Sequence, residues 1–416
     1  MAQEVRSDEF MISDKNSFIG RLLSSVEVKL IVSWLLVVLA TIVLDTNHTY
    51  WNSPAESAQL ILRQTVLLGF FALGAAIIII SGGIDLSSGS VIAMSATVFG
   101  SLMIVLDPEG FKAGHVSTNA VIMSIAGTLL VGAMVGTLHA WLITSVGLPP
   151  FVATLATLVG LRSFGRGLTP ALTGGKSQID FPDIALRDRL KDVTSISILF
   201  VVFALILWFL MSRTVTGRHL QAMGGNEQAA KLSGIRTDRL KWLAYVIGAV
   251  SASIVGIISF ADTGSAKPDI MARGYELNAI AASVIGGCSL QGGVGTIPGT
   301  ILGCLFLRTI IDAVQKIVGA GADVYEGMIV GIVVVVAVTF SQRGSSQFGG
   351  KKYFSNAIGW SVIPTLGLLT GLSYLLFFGK REWYAPNQAY VIAGAVVVAL
   401  VIRAFFETKS KASGQS

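Results

Sequence analysis

Long apolar runs, separated by short polar or glycine-bearing stretches, recur from one end of the chain to the other. They occupy residues 29–44, 65–81, 88–106, 119–146, 150–168, 194–212, 240–260, 276–290, 295–314 and 325–341, with two more at 357–378 and 388–402. At about 1.5 Å of rise per residue, a helix of about 20 apolar residues crosses a hydrocarbon core roughly 30 Å thick. Stretches such as Ala75 to Ile80 and Ile332 to Val338 show none of the apolar–polar alternation that barrel strands require. The pattern predicts an all-α polytopic membrane protein, with a core of about ten helices and two further C-terminal transmembrane helices. The predicted division is a cytoplasmic N-terminal segment 1–28, a transmembrane core 29–341 and an extension 342–416. The eighth run is short and ends in glycines, which predicts a broken helix.

Composition narrows the class. Of 416 residues, 53% are hydrophobic and 13% charged, against roughly 25% charged in soluble domains. An ordinary soluble enzyme is excluded. The net charge of +6 does not mark a nucleic-acid partner, because the Lys and Arg residues fall mostly between apolar runs and form no basic domain. The larger share lies on the side that holds Arg6, Arg218, Lys231, Arg236, Lys351 and Lys409, so the positive-inside bias predicts cytoplasmic termini and a cytoplasmic loop 213–239. The stretch Lys176 to Lys191 runs against that bias, but Asp180, Asp183, Asp188 and Asp192 are interleaved there and predict a small folded external element. The first 28 residues mix acidic and basic side chains without a cleavage pattern, as in an uncleaved start. Cys288 and Cys304 sit in apolar surroundings and are expected to be small packing residues.

Three constellations carry chemistry. Gly82-Gly83-Ile84-Asp85-Leu86-Ser87-Ser88-Gly89 is echoed by Gly286-Gly287-Cys288-Ser289-Leu290-Gln291-Gly292-Gly293, each between apolar runs, as in transporter repeats with discontinuous helices. Asp85 either caps the third span, accepting from the amides of Ser87 and Ser88, or faces a translocation path where the Ser87 and Ser88 hydroxyls meet a polyol. Glu276, at the start of the eighth span, either compensates the helix dipole beside Arg273 or touches solute with Asn278. Third, a polar loop runs from Thr216 through Gly224-Gly225-Asn226-Glu227 to Gly234. Asn226 reads as an N-cap, Lys231 lies in the last turn, Gly234 can end the helix, and Ala229, Ala230 and Leu232 offer an apolar surface. Such a short helix needs something to pack on, either its own chain or a cytoplasmic partner.

Catalytic signals are nearly absent. Thr173-Gly174-Gly175-Lys176-Ser177 resembles the end of a phosphate loop, but Pro170 stands where that motif needs glycine. The four histidines lack metal-ligand spacing, and His139 reads as a core residue. No catalytic residue, metal ligand or cofactor is expected in this chain. Its energy source is then an ion gradient, as in a secondary transporter, or a separate ATPase.

Residues 62–341 resemble the ribose, xylose and related sugar permeases of ABC importers. The resemblance rests on Ser81 to Ser90, Leu148-Pro-Pro-Phe-Val-Ala-Thr-Leu155, Thr216-Gly217-Arg218, Ala222 to Ile235, Gly274 to Ala282 and Ile285 to Gly295. It implies a bacterial inner-membrane permease subunit for a monosaccharide or similar polyol, a second permease copy or paralogue, a periplasmic sugar-binding protein, and a cytoplasmic subunit that binds ATP. Gly224, Gly225, Asn226, Ala229, Ala230 and Gly234 then resemble the loop that docks on the ATPase. Residues 342–416 extend beyond the usual end of the family.

Overall fold

The computed structural model describes residues 25–318, 326–332, 335, 357–378 and 385–412. The first 24 residues, much of the expected span 325–341 and the connection 342–356 lie outside the described residues. The chain divides into a large unit, which ends near residue 338, and a small C-terminal one.

The large unit is helical. Its elements are α1 (Val26–Leu44), α2 (Thr49–Asn52), α3 (Pro54–Ile80), α4 (Ser88–Leu106), α5 (Pro108–Ala113), α6 (Thr118–Thr144) and α7 (Pro150–Thr173). After these come α8 (Ile184–Leu190), α9 (Val193–Arg213), α10 (Val215–Gly225), α11 (Glu227–Leu232), α12 (Thr237–Thr263), α13 (Tyr275–Ile285) and α14 (Ile297–Val318). Residues 326–332 are also helical. Two short strands, β1 (Ile179–Asp180) and β2 (Ser265–Ala266), pair antiparallel. The expected span 65–81 is the apolar part of a longer helix. Pro54 at its first turn and Glu56 beside it favour an earlier start, and the polar Gln59, Arg63 and Gln64 continue it.

Eight helices among the described residues are long and apolar enough to cross a membrane: α1, α3, α4, α6, α9, α12, α14 and the last helix of the chain. The helix α7 is long enough, but its threonines and glycines together with Arg162 and Arg166 make it too polar to count. Burial sorts these helices. The apolar window of α3 is 83% buried and that of α1 only 11%, so α3 belongs to the core and α1 lies on the outside of the bundle. The core is centred on α12, which packs on α3, α4 and α6. Lipid tails are as apolar as leucine, so packing and interhelical hydrogen bonds, not water exclusion, hold such helices together. Gly136 of α6 shows the packing: a Cβ there would lie 2.6 Å from the backbone of Tyr245 and Val246. Ser95 of α4 supplies a hydrogen bond, 2.9 Å from the Ser253 hydroxyl of α12.

One crossing helix, α9, separates α8 at its start from α10 and α11 at its end. The two sets therefore lie on opposite faces of the bundle. On the first face, Arg187 of α8 donates from Nε to the Ala261 carbonyl at 2.8 Å and from Nη2 to the Asp262 carbonyl at 3.3 Å. It thereby satisfies carbonyls that the end of α12 leaves open. The Asp262 carboxylate pairs with Arg63 of α3. With β1 and β2, these contacts form the folded element expected around residues 176–191.

The small unit is a hairpin of α15 (Ala357–Phe378) and α16 (Ala385–Ala412), two helices at the positions of the expected C-terminal spans, of which α16 is long and apolar enough to cross a membrane. Its helices approach closely at Gly371, which faces Ala393 and the Ala389 carbonyl. The Tyr374 hydroxyl donates to the Gln388 side-chain oxygen.

Candidate functional site: two glycine turns and the loop between them

The echo between the two glycine motifs is a shared backbone turn. At the end of α3, Gly83 N–H donates to the Ile78 carbonyl at 2.9 Å, across Gly82 at φ +84°. At the end of α13, Cys288 N–H donates to the Ser283 carbonyl at 2.9 Å, across Gly287 at φ +92°. A left-handed residue after a helix end is a position that glycine fills without a Cβ penalty. The backbone thus aligns Gly82 with Gly287, one residue later than the motif alignment with Gly286. The turn, not the Gly-Gly pair, sets the register.

Beyond the first turn, the chain re-enters the bundle and places Asp85 among polar groups from distant helices. Asp85 is buried and accepts from the Ser87 amide at 2.7 Å and the Ser87 hydroxyl at 2.6 Å. The cap of α4 is Ser87, not Asp85, and no bond joins Asp85 to Ser88. This corrects the expectation that Asp85 receives both serine amides: Asp85 holds its own turn and stands before the helix. The irregular stretch around it is fixed from α12, where the Tyr245 hydroxyl donates to the Ile84 carbonyl at 3.3 Å, and from α7, where Thr154 Oγ1 accepts from Leu86 N–H at 3.2 Å. His139 of α6 contacts Thr157 Oγ1 through Nε2 at 2.7 Å, and its ring meets that of Tyr245 at 6.0 Å. His139 is the core residue expected, although its Nδ1 has no hydrogen-bond partner among the described residues. A carboxylate at membrane depth costs about 3 kcal/mol on insertion scales, which explains why so many polar groups gather here.

Glu276 joins this cluster from α13. A Cβ on Gly89 would collide with the Glu276 carboxylate and the Ala272 carbonyl, so the absent side chain at residue 89 makes the room that Glu276 occupies at the start of α4. Arg273 does not serve as its counter-ion: that guanidinium donates to the Asp269 carbonyl at 2.5 Å. The basic group acting on Glu276 is Arg162 of α7, which also donates to the carbonyls of Pro268 at 2.9 Å and Met271 at 3.0 Å. Ser88 Oγ and Glu276 Oε2 have no hydrogen-bond partner among the described residues. Four of the five expected pathway residues, Asp85, Ser87, Ser88 and Glu276, thus meet around the start of α4.

Asn278 points elsewhere. It is buried and donates to Glu326 Oε1 at 3.1 Å, the same oxygen that accepts from Arg308 of α14 at 3.1 Å. Glu326 and Tyr275 line both a cavity of about 510 Å³ and another of about 410 Å³. The larger has Gln64, Lys267, Arg273 and Arg308 in its wall together with Leu67, Leu68 and Ile311. Tyr275 stacks on Phe71 at 5.8 Å and lies under the Arg308 guanidinium at 5.9 Å. None of Arg308, Glu326, Arg162 or Tyr245 was among the expected site residues. An arginine inside an apolar run such as 295–314 is the signal that marks Arg308.

The polar loop folds as its capping residues require. Asn226 Oδ1 accepts from Ala229 N–H at 3.0 Å, and Gly234 at φ +82° ends α11. Glu227 Oε1 contacts Lys241 Nζ at 2.7 Å and Lys231 Nζ at 2.9 Å. Burial opposes ionisation of Glu227, but the two ammonium groups outweigh it and hold its carboxyl below the ordinary glutamate range. The expected apolar surface divides. Ala230 is buried in its own chain, whereas Leu232 is 91% exposed and Asn226, Ala229 and Gly234 are exposed beside it. Gly224 is also turned inward, where a Cβ would strike the Ile80 carbonyl and approach Gly293 N to 2.6 Å. Gly293 N–H donates to the Ile80 carbonyl at 2.9 Å. At Gly225 an added Cβ would meet nothing within 4 Å. The first glycine turn and the Gly292–Gly293 stretch that follows the second therefore rest on the corner between α10 and α11, while Gly287 itself lies against Val26 of α1.

A helical bundle with polar re-entrant segments and a polar loop seated on them defines a multi-pass membrane permease. The family profile described as branched-chain amino acid transport system / permease component matches residues 57–338. The ribose import permease protein RbsC of Escherichia coli (strain K12) is 34% identical over 280 residues, which cover 66% of this chain and 82% of that protein. The D-allose transport system permease protein AlsC of Escherichia coli (strain K12) is 29% identical over 315 residues, 74% of this chain and 90% of its own. The autoinducer 2 import system permease protein LsrC of Photorhabdus luminescens is 32% identical over 267 residues, 64% and 75% respectively. No solved structure matches the chain. The chain belongs to this permease family and, within it, to the ABC sugar-permease type. It is a transport subunit of the inner membrane, and membership favours an ATP-driven importer over an ion-coupled carrier.

Proposed function

We propose that this chain is the permease through which an ATP-driven importer passes a monosaccharide or similar polyol. Ribose, allose and autoinducer 2 name the relatives' solutes and bound the class. ATP binds a separate cytoplasmic subunit, a periplasmic binding protein delivers the solute on the face of β1 and α8, and a second permease copy or paralogue completes the passage. Both termini lie in the cytoplasm with α10 and α11. No cofactor in this chain takes part.

The observation that carries the reading is the contact of Gly224 with Ile80 and Gly293. A push on the corner between α10 and α11 bears directly on the first glycine turn and on Gly292–Gly293 beyond the second, and the first turn leads to Asp85, Ser87 and Ser88 with Glu276 beside them. These residues line the solute's route in the open state, with Asn278 at the neighbouring cavities. The exposed docking surface is Asn226, Ala229, Leu232 and Gly234, with Gly225 at the corner, while Gly224 and Ala230 transmit the movement from within. Reconstitution tests the energy source. Uptake into liposomes should need ATP, the ATPase subunit and the binding protein together. Concentrative uptake by the chain alone would overturn the reading. Single cysteines should label from outside intact cells at position 180 and not at position 225; the reverse pattern would invert the topology.

A further inference from the structure

A cavity of about 310 Å³ lies on the outside of the bundle between α6 and α9, apart from the polar cluster. Its walls are Ile125 and Leu129 of α6 and Ile196 and Leu199 of α9, its floor is Ile254 and Ile257 of α12, and α8 closes one end. Leu199 lies six residues into α9, and Ile254 nine residues before the end of α12. At about 1.5 Å per residue these depths are about 9 and 14 Å, within one leaflet of a hydrocarbon core roughly 30 Å thick.

The polar residues of this groove, Arg189 and Ser195, sit together at the corner of α8 and α9. Their neighbours are engaged elsewhere. Arg187 is turned onto the end of α12, Asp188 holds Lys191 at 2.7 Å, and Asp192 accepts from the Ser195 amide at 2.8 Å. No carboxylate pairs with Arg189 among the described residues, and its side chain is exposed at the mouth of the groove. A void against packed helices forfeits the dispersion contacts of its lining, so within a bilayer an acyl chain fills it. Tails differ little from one another in such a slot, and selectivity then comes from the headgroup, where a basic residue near the surface attracts anionic lipid.

We propose that this groove holds a resident glycerophospholipid, with one acyl chain laid along Ile254 and Ile257 and its phosphate at Arg189 and the Ser195 hydroxyl. The full-length chain in nanodiscs, doped with phosphatidylglycerol carrying a diazirine in one acyl chain, tests this, with the matching diazirine diacylglycerol as the phosphate-free control. Crosslinks should concentrate on peptides containing residues 196–199 and 254–258. Leu199→Trp, at a wall position that is 48% exposed and free to take a larger ring, should abolish them for both probes. Arg189→Gln should lower phosphatidylglycerol labelling about fivefold, the equivalent of about 1 kcal/mol for one basic residue near anionic lipid, and leave diacylglycerol labelling unchanged. Arg189→Lys should restore most of it. Labelling spread evenly over the exposed faces of α6 and α9, or unaffected by Arg189→Gln, would overturn the proposal. So would crosslinking of Leu199→Cys to a second copy, or to residues 357–412, with no lipid in the groove.

Discussion

The two glycine turns share a backbone conformation and send the chain to different places. After Gly82 the chain stays buried and delivers Asp85 to hydrogen bonds from Ser87, with Tyr245 and Thr154 bracing the backbone on either side. After Gly287 it comes to the surface, where Leu290 is 43% and Val294 62% exposed, and it carries no carboxylate before α14 begins. A conformation that only fixes a helix end has been used once to hold charge inside the membrane and once to lay a loop against α10. What the two segments share is mechanical, since Gly82 at the first turn and Gly292–Gly293 beyond the second both meet Gly224; what separates them is chemistry.

The largest effect is expected where they meet. Gly224→Val forces a branched side chain into the Ile80 carbonyl and Gly293, backbone atoms that cannot rotate away. Overpacking of this kind costs about 1 to 3 kcal/mol and sometimes more. Transport should be lost and thermal stability should fall. Gly225→Ala, with open space at the same corner, should leave both nearly intact. Equal tolerance of the two changes, measured by uptake and by melting of the purified protein, would separate the turns from the loop.

Asp85 comes next and tests the chemical half of the comparison. Asp85→Ala leaves the Ser87 amide and hydroxyl without their acceptor, and a buried unsatisfied group costs about 1 to 3 kcal/mol. Asp85→Asn keeps an acceptor and loses only the charge. If the carboxylate serves structure alone, Asn should restore both melting temperature and uptake. If it also meets the solute, Asn should restore melting while uptake stays low. At Ser289, just beyond the second turn, alanine should change neither, because Ser289 Oγ accepts only a local bond from Gln291 N–H at 3.2 Å.

The sequence disclosed the spans and local caps more fully than the contacts. Apolar runs located α4 and α15 to the residue, and Asn226 and Gly234 marked the ends of α11, because these signals depend on length and near neighbours. The Ser87 amide from which Asp85 accepts was legible from its neighbouring position, but the groups that brace Ile84 and Leu86 on either side were not, since Tyr245 and Thr154 arrive from helices far along the chain. Nor could three apolar residues in a six-residue helix say which one turns inward. Ala230 does, and Leu232 turns out. The same limit applies to Glu276, whose basic neighbour is Arg162 and not the adjacent Arg273. Arg308 stood out as a charge in an apolar run, but its tie to Glu326 required the fold.

Leu232 supplies a more selective probe than Ala230 of what rests on the loop. Leu232→Glu adds a charge at a fully exposed position, so insertion and melting should be unchanged. At a packed interface the same charge would be desolvated without a partner, and co-purification of the ATPase subunit should fall several-fold. Ala230→Asp should reduce co-purification too, but with a drop in melting temperature, because Ala230 is buried in its own chain. Full retention of the ATPase by Leu232→Glu would move the docking surface away from α11.

The smallest effect is expected at Lys231, and its size depends on how Glu227 is held. Two ammonium groups share Glu227 Oε1, but Lys241 is the more enclosed, with 19% of its side chain exposed against 54% for Lys231. An exposed pair contributes about 0 to 1 kcal/mol. Lys231→Gln should therefore leave Glu227 anchored to α12 by Lys241, and transport and ATPase retention should stay near the parent level. Lys241→Met should cost more, because it removes the sheltered partner and leaves Glu227 only the solvated one. The pH dependence has a fixed sign. The folded-state pKa of Glu227 lies below the ordinary glutamate value, so its contribution is present above that value and disappears only as pH falls through the lowered one. Lys231 is shifted upward by its bond to Glu227, so its share is complete below the ordinary lysine pKa and is lost as pH rises through the raised value. Between those limits the attachment of α11 should be flat with pH, as read by protease protection of the 226–236 segment; a step near neutral pH would mean that a group other than this pair holds the loop.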